Sequence, residues 1–237
     1  MSYYGYYSYK PRAKPKDPAA QIEKLRKKNP NIQPVVIEGR KIAKSWWALS
    51  WNKNLEGYAD YSNRIERGRA YVTRGAVVDL SIAPGEVSAL VQGTRATPYK
   101  VAVKIDPLSK KNWEAITKKC SRKFTNVEEL VSGKFPIELM ELFTDRGAGL
   151  FPTPKEIHFS CSCPDWAYMC KHVAAALYGI GARFDQDPTL FFLLRNIDFS
   201  ELIKKSVDEK MGDLLKNAGK VTGRVMADVD TFELFGV

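Results

Sequence analysis

Three of the chain's four cysteines and one of its two histidines lie in one twelve-residue window: Cys161-Ser162-Cys163, the six residues Pro164 to Met169, then Cys170-Lys171-His172. Four soft ligands at this spacing can close a tetrahedron around one zinc ion, and that closure dictates the local fold. The Cys-x-Cys pair turns both sulfurs into one bend. Cys170 stands just before, and His172 within, the first turn of a helix predicted over 171–179, whose N-terminus favours thiolate charge. With Cys161, Cys163, Cys170 and His172 all used, no position stays open for water or substrate, so the ion is expected to be structural. Cysteines serving only as core filler would be scattered rather than gathered. His158, on an expected strand three residues before Cys161, is read as a packing or hydrogen-bonding residue rather than a ligand.

Around this window the pattern is α+β: an antiparallel β-meander with a packed aromatic helix, followed by a mostly helical half that contains the zinc segment. Residues 1–16 are tyrosine-rich, then basic and proline-rich, and read as a disordered tail. A basic α+β subdomain follows over 17–106, a helical region over 107–220 with the zinc segment at 156–184, and a C-terminal tail over 221–237. Asp17-Pro18 caps a short basic helix to about Lys28, and Gln33 to Glu38 reads as a strand. From Lys41 to Tyr58, Trp47, Trp51, Leu55 and Tyr58 form one stripe at helical spacing, read as packing rather than as a base-stacking platform. Alternation at Val78, Leu80, Ile82, at Val87, Ala89, Val91 and at Val101, Val103, Ile105 predicts three strands reversing at Pro84-Gly85, with Arg69 to Arg74 as a fourth. Ser109 caps a helix to Cys120, Thr125 with Glu128 forms a capping box, and Pro136 opens a helix to Phe143. Asp187-Pro188 and Ser200 start the last two helices.

Charge divides the chain. Residues 1–120 carry 23 Lys or Arg against 10 Asp or Glu, whereas residues 121–237 carry 14 against 17. Such asymmetry suits a polyanionic partner, because each phosphate neutralised releases condensed counterions. The expected phosphate contacts are Arg64, Arg67, Arg69, Arg74, Arg95, Lys100 and Lys104, on the solvent face of the meander and the loop before it, beside Ser81, Ser88 and Gln92. The Cys163 to Cys170 loop offers Trp166, Tyr168 and Met169, residue types that anchor protein interfaces.

At the ligand window the chain resembles the SWIM zinc finger family, whose pattern is Cys-x-Cys, a variable gap and Cys-x-His. The run Leu150-Phe151-Pro152, Cys161-Ser162-Cys163-Pro164-Asp165-Trp166 and Cys170-Lys171-His172-Val173-Ala174-Ala175 is similar to a prokaryotic group within it. So are Val36-Ile37-Glu38-Gly39-Arg40-Lys41 and Tyr58-Ala59-Asp60-Tyr61-Ser62-Asn63-Arg64, and the resemblance covers roughly residues 20 to 200. It implies one zinc ion and an association with Swi/Snf-type helicase-like ATPases, with DNA-binding or protein-binding roles. The expectation is a zinc-binding accessory protein that binds nucleic acid, DNA in preference to RNA; the alternative is an adaptor whose zinc module docks a protein partner. Nothing in the sequence points to catalysis: neither a phosphate-cradling Gly-x-x-x-x-Gly-Lys-Ser/Thr loop nor a Gly-x-Ser-x-Gly elbow is present. Without a long apolar run or a secretory signal at the start, a cytoplasmic protein is expected.

Overall fold

The computed structural model describes residues 14–123, 137–145 and 147–217. Helix α1, Pro18–Arg26, begins at Asp17, whose carboxylate accepts the Ala19 N–H at 3.0 Å. Helix α2, Trp46–Glu56, starts later than the apolar stripe suggested because Ser45 is its N-cap and accepts from Ala48 N–H. Asp185 fixes that cap from across the molecule, accepting the Lys44 and Ser45 N–H groups and the Ser45 hydroxyl.

Helix α3, Ser62–Thr73, replaces the strand expected at Arg69 to Arg74. Ile65, Gly68 and Val72 fall on one helical face and turn to the core, which overrides the β-forming Tyr71-Val72-Thr73 run. Strands β1 (Val77–Ala83), β2 (Glu86–Val91) and β3 (Tyr99–Ile105) form the expected antiparallel meander. The fourth strand is β4, Ile157–Cys161, which pairs antiparallel with β3 and leads straight into the ligand window. Gln33 to Glu38 does not form a ladder. Val35 donates to Val77 and Leu80 donates to Gln33 at the β1 edge, but Pro34 between them has no N–H to offer.

After β3 come α4 (Lys110–Lys123) and, following a 3₁₀ turn at Ile137–Leu139, α5 (Met140–Thr144). Ser109 accepts from Asn112 N–H at the start of α4, as its position predicted. Helices α6 (Lys171–Gln186), α7 (Thr189–Leu194) and α8 (Phe199–Asn217) complete the described chain. The expected capping box at Thr125 and Glu128, the start at Pro136, the Cys120 side chain and the tails beyond residues 14 and 217 lie outside the described residues.

Helix α6 is the hub, packed against α2, α3 and the inner face of the sheet. Small residues permit this. A Cβ at Gly68 would meet the Ala174 Cβ at 2.5 Å, and one at Gly179 would meet the Leu80 Cδ1 at 2.9 Å. Around the C-terminal half of α6, Trp51 is wholly buried with its ring edge-on to Phe151, Phe184 and Phe191. Its indole N–H donates to the Leu177 carbonyl at 3.1 Å, satisfying the one polar atom this side chain takes inside.

Candidate metal centre

Strand β4 delivers Cys161 at its last position, the following bend presents Cys163, and α6 contributes Cys170 as N-cap and His172 in its first turn. The four ligand atoms all lie within 4.8 Å of one another. His172 turns Nδ1 inward, 3.8 Å from Cys161 Sγ and 3.9 Å from Cys170 Sγ. A tetrahedron with zinc–sulfur bonds of about 2.3 Å has edges of about 3.8 Å, so the cluster is near the size the ion requires. Cys170 and His172 are buried, and Cys161 and Cys163 are partly so.

The thiols oppose one another. Hydrogen bonding from Cys161 pulls the Cys170 thiol down to about 4, with help from His172 and the Val173 N–H and against the effect of burial. The same contact with Cys170, then burial, pushes the Cys161 thiol up, and burial pushes up that of Cys163. Crowded together, the three thiols cannot all ionise without a neighbouring positive charge. A divalent cation at the centre would let all three ionise together. Soft donors, convergence and this unmet demand for positive charge fit zinc, and Cys161, Cys163, Cys170 and His172 are positioned to bind one zinc ion. With four protein ligands the ion fastens β4 to α6 and leaves no open coordination position.

The loop between the ligand pairs is tied down by its neighbours. Asp60 accepts the Tyr168 and Met169 N–H groups at 2.9 and 3.1 Å, and Asp165 accepts from Ala167 N–H and pairs with Arg64 at 3.1 Å. The Tyr168 hydroxyl donates to the Ile157 carbonyl, and the Ser162 main chain and hydroxyl bond to Lys100. His172 is enclosed by Tyr99, stacked at 4.1 Å, and by Tyr71, edge-on at 5.4 Å. Any side chain at Gly93 would collide with Tyr99 at 2.5 Å and crowd His172 Nε2 at 3.4 Å.

The structure divides the predicted phosphate contacts into separate groups. Arg64 is engaged with Asp165, and Arg69 with Glu56 and the Tyr178 hydroxyl. Arg67 is exposed on α3. Lys100 and Lys104 project from β3 on the sheet face that also carries Ser81, Ser88 and Ser160, together with Asp79 and Glu86. Arg74 and Arg95 lie over the rings of Tyr71 and Tyr99 and so flank the zinc centre. Gln92, expected on the solvent face, is fully buried beneath them.

The predicted docking residues also separate. Trp166 is 79% exposed and Tyr168 50%, but Met169 is 1% exposed and packs in the core, so a docking surface cannot include it. Its alternation with the two aromatic residues points it inward, toward the base of α6. Residues that sequence reasoning missed are Asp60, Tyr71, Tyr99 and Lys171. Of these only Tyr99 carried a usable signal, its phase with Val101, Val103 and Ile105 on the inner face of β3. His158 stands on the outer face, 3.7 Å from Asp106 and outside the ligand cluster.

Among the described residues no helix is long and apolar enough to cross a membrane. Residues 158–179 match the SWIM zinc finger family. An uncharacterized protein, Rv2102, of Mycobacterium tuberculosis (strain ATCC 25618 / H37Rv) is 36% identical over 163 residues, which are 68% of this chain and 58% of that protein. The matched part thus spans less than two thirds of the relative's length. No solved structure matches the chain.

Proposed function

Because this chain carries a SWIM zinc finger at residues 158–179, we propose that it is a cytoplasmic, zinc-stabilised accessory protein that binds nucleic acid, DNA in preference to RNA, and works beside a Swi/Snf-type helicase-like ATPase. It acts by binding rather than by catalysis. The observation that carries this reading is the charge split: residues 1–120 hold 23 Lys or Arg against 10 Asp or Glu. Arg67, Arg74, Arg95, Lys100 and Lys104 are exposed, so a phosphate backbone has access to them. Zinc holds the scaffold on which these cations stand, and sequence-independent contacts supply the affinity. A fluorescence anisotropy titration with single- and double-stranded DNA at about 50 mM salt tests this, because counterion release favours association there. Saturable binding that weakens steeply with salt is expected; no binding to either form would remove the proposal.

A second reading, an adaptor that docks a protein partner, is favoured by Trp166. Its ring is 79% exposed and edge-on to Tyr61 at 5.5 Å. Exposed aromatic side chains of this kind anchor interfaces. Pull-down of a purified helicase-like ATPase by wild type and by Trp166→Ala with Tyr168→Ala checks it; equal recovery counts against this surface.

A further inference from the structure

We propose that the rim of the zinc centre is a phosphodiester-binding surface made by Arg74, Arg95 and Lys171, a proposal that rests on the nucleic-acid reading and gives it a location. The three cations come from the end of α3, the β2–β3 loop and the first residue of α6, and they meet on the two tyrosines that enclose His172. The Arg74 guanidinium carbon lies 4.0 Å from the centroid of the Tyr71 ring, with the Lys171 ammonium 6.0 Å from the same centroid. The Arg95 guanidinium carbon lies 5.2 Å from the centroid of Tyr99. A guanidinium held over a ring keeps N–H groups at its edge for a bidentate acceptor such as phosphate.

Buried Gln92 sets both arginines. Its main-chain carbonyl accepts from Arg74 at 3.4 Å, and its side-chain amide donates to the carbonyls of Gly93 at 3.0 Å and Arg95 at 2.7 Å. Lys171 needs no such tether, standing between the ligands Cys170 and His172. The Lys16 N–H donates to the Gly93 carbonyl at 3.0 Å, which brings the basic segment containing Lys14 and Lys16 alongside. Cations positioned in this way lose less freedom on binding than lysines on an open face.

Charge balance separates this rim from the other cations. Arg64 and Arg69 are neutralised by Asp165 and Glu56. Among the described residues, none of Arg74, Arg95 and Lys171 pairs with a carboxylate. A zinc ion with three thiolates and a neutral imidazole carries one net negative charge, which one cation offsets. Two remain in surplus beside a rigid, partly buried platform, and a phosphodiester strand is the ligand that uses them.

The test uses the full, zinc-loaded chain and a fluorescein-labelled single-stranded DNA oligonucleotide, titrated over a range of salt. The triple variant Arg74→Gln, Arg95→Gln, Lys171→Gln is expected to flatten the slope of log affinity against log salt by about two, since each lost phosphate contact removes about 0.7 for single strands. Affinity at about 100 mM salt should fall at least about ten-fold. Lys53→Gln with Lys155→Gln, exposed lysines of α2 and of the turn before β4, should change the slope by less than about 0.7. Wild-type binding with an unaltered slope in the triple variant would overturn the rim and leave the nucleic-acid reading standing. Failure of wild type to bind would remove that reading and the rim with it. If the triple variant loses zinc, Lys171→Gln alone decides, with an expected slope change of about 0.7 and none if the rim is idle. Competition by polyglutamate as effective as by DNA of equal charge would reassign the rim to an acidic protein segment and overturn the proposal.

Discussion

Helix α6 meets the rest of the protein through an aromatic wall at its C-terminal half and through a cluster of soft ligands at its first turn. Around Leu177 and Phe184 the contacts are Trp51, Phe151 and Phe191, with the Trp47 and Trp51 indoles donating to α6 carbonyls. A buried tryptophan removes about 200 Å² from water, worth about 5 kcal/mol at about 25 cal/mol per Å². Such a wall tolerates small shifts, since area is lost gradually. At Cys170 and His172 the attachment to β4 instead depends on four atoms converging on one point, and a single missing ligand undoes it. One end of α6 is thus held by burial alone, and the other by burial on α3 together with chemistry.

Removing the chemistry should have the larger effect. Cys170→Ser is expected to abolish stoichiometric zinc, measured by metal content, and to forfeit a binding free energy on the order of 10 kcal/mol. Hydrogen exchange should show protection lost over 157–172 while the amides of α2 and of 177–186 stay protected. Equal loss at both ends would break the contrast and make the zinc a fastener for the whole core. The reciprocal change, Trp51→Ala, is expected to lower global stability by about 4 kcal/mol in urea titration, with zinc stoichiometry unchanged. Zinc loss in that variant would mean that the aromatic wall positions the ligands as well.

The same contrast explains what could be read from the chain. The ligand set was legible because its four members are neighbours in sequence and their chemistry is specific. The meander was legible from the period-two residues Val87 to Val91 and Val101 to Ile105. Arg69 to Arg74 was misread because local β-forming residues compete there with the i, i+3, i+7 face of Ile65, Gly68 and Val72, and only packing on Ala174 decides between them. The partner of β3 was out of reach for a similar reason: β4 lies far along the chain, beside the metal ligands. The rim of Arg74, Arg95 and Lys171 is assembled from three elements, so no local pattern announces it. Met169 was misplaced because residue type alone does not say which way a loop side chain turns.

A third attachment, of intermediate strength, lies away from α6. Arg195, 1% exposed, donates to the Asp106 carbonyl at 2.8 Å and to Glu156 at 3.1 Å, joining the segment after α7 to the end of β3 and the approach to β4. Arg195→Ala would leave the Asp106 carbonyl and Glu156 without this donor, and a loss of about 3 kcal/mol is expected. Arg195→Met, which keeps the packing of the stem, should cost less. Chemical denaturation at neutral pH orders the two. Equal losses would place the contribution of Arg195 in its charge alone.

The smallest effect belongs to Glu156 and appears as a function of pH. Burial acts to raise its carboxyl, but hydrogen bonds from Thr153 and Arg195 outweigh that and hold it below the ordinary 4.5. A depressed carboxyl contributes stability that is fully present above its unfolded value and is lost as pH falls through the lower folded value. Glu156→Gln is therefore expected to be less stable than wild type by no more than about 1 kcal/mol at neutral pH, given the partial exposure of the pair. That gap should close as the pH falls below about 4.5. Acid also releases zinc by protonating its ligands, but it does so in both proteins, so the difference between their urea midpoints isolates Glu156. A gap unchanged between about pH 3 and pH 7 would show that the carboxylate gives the attachment nothing, and that the Asp106 carbonyl holds Arg195 by itself.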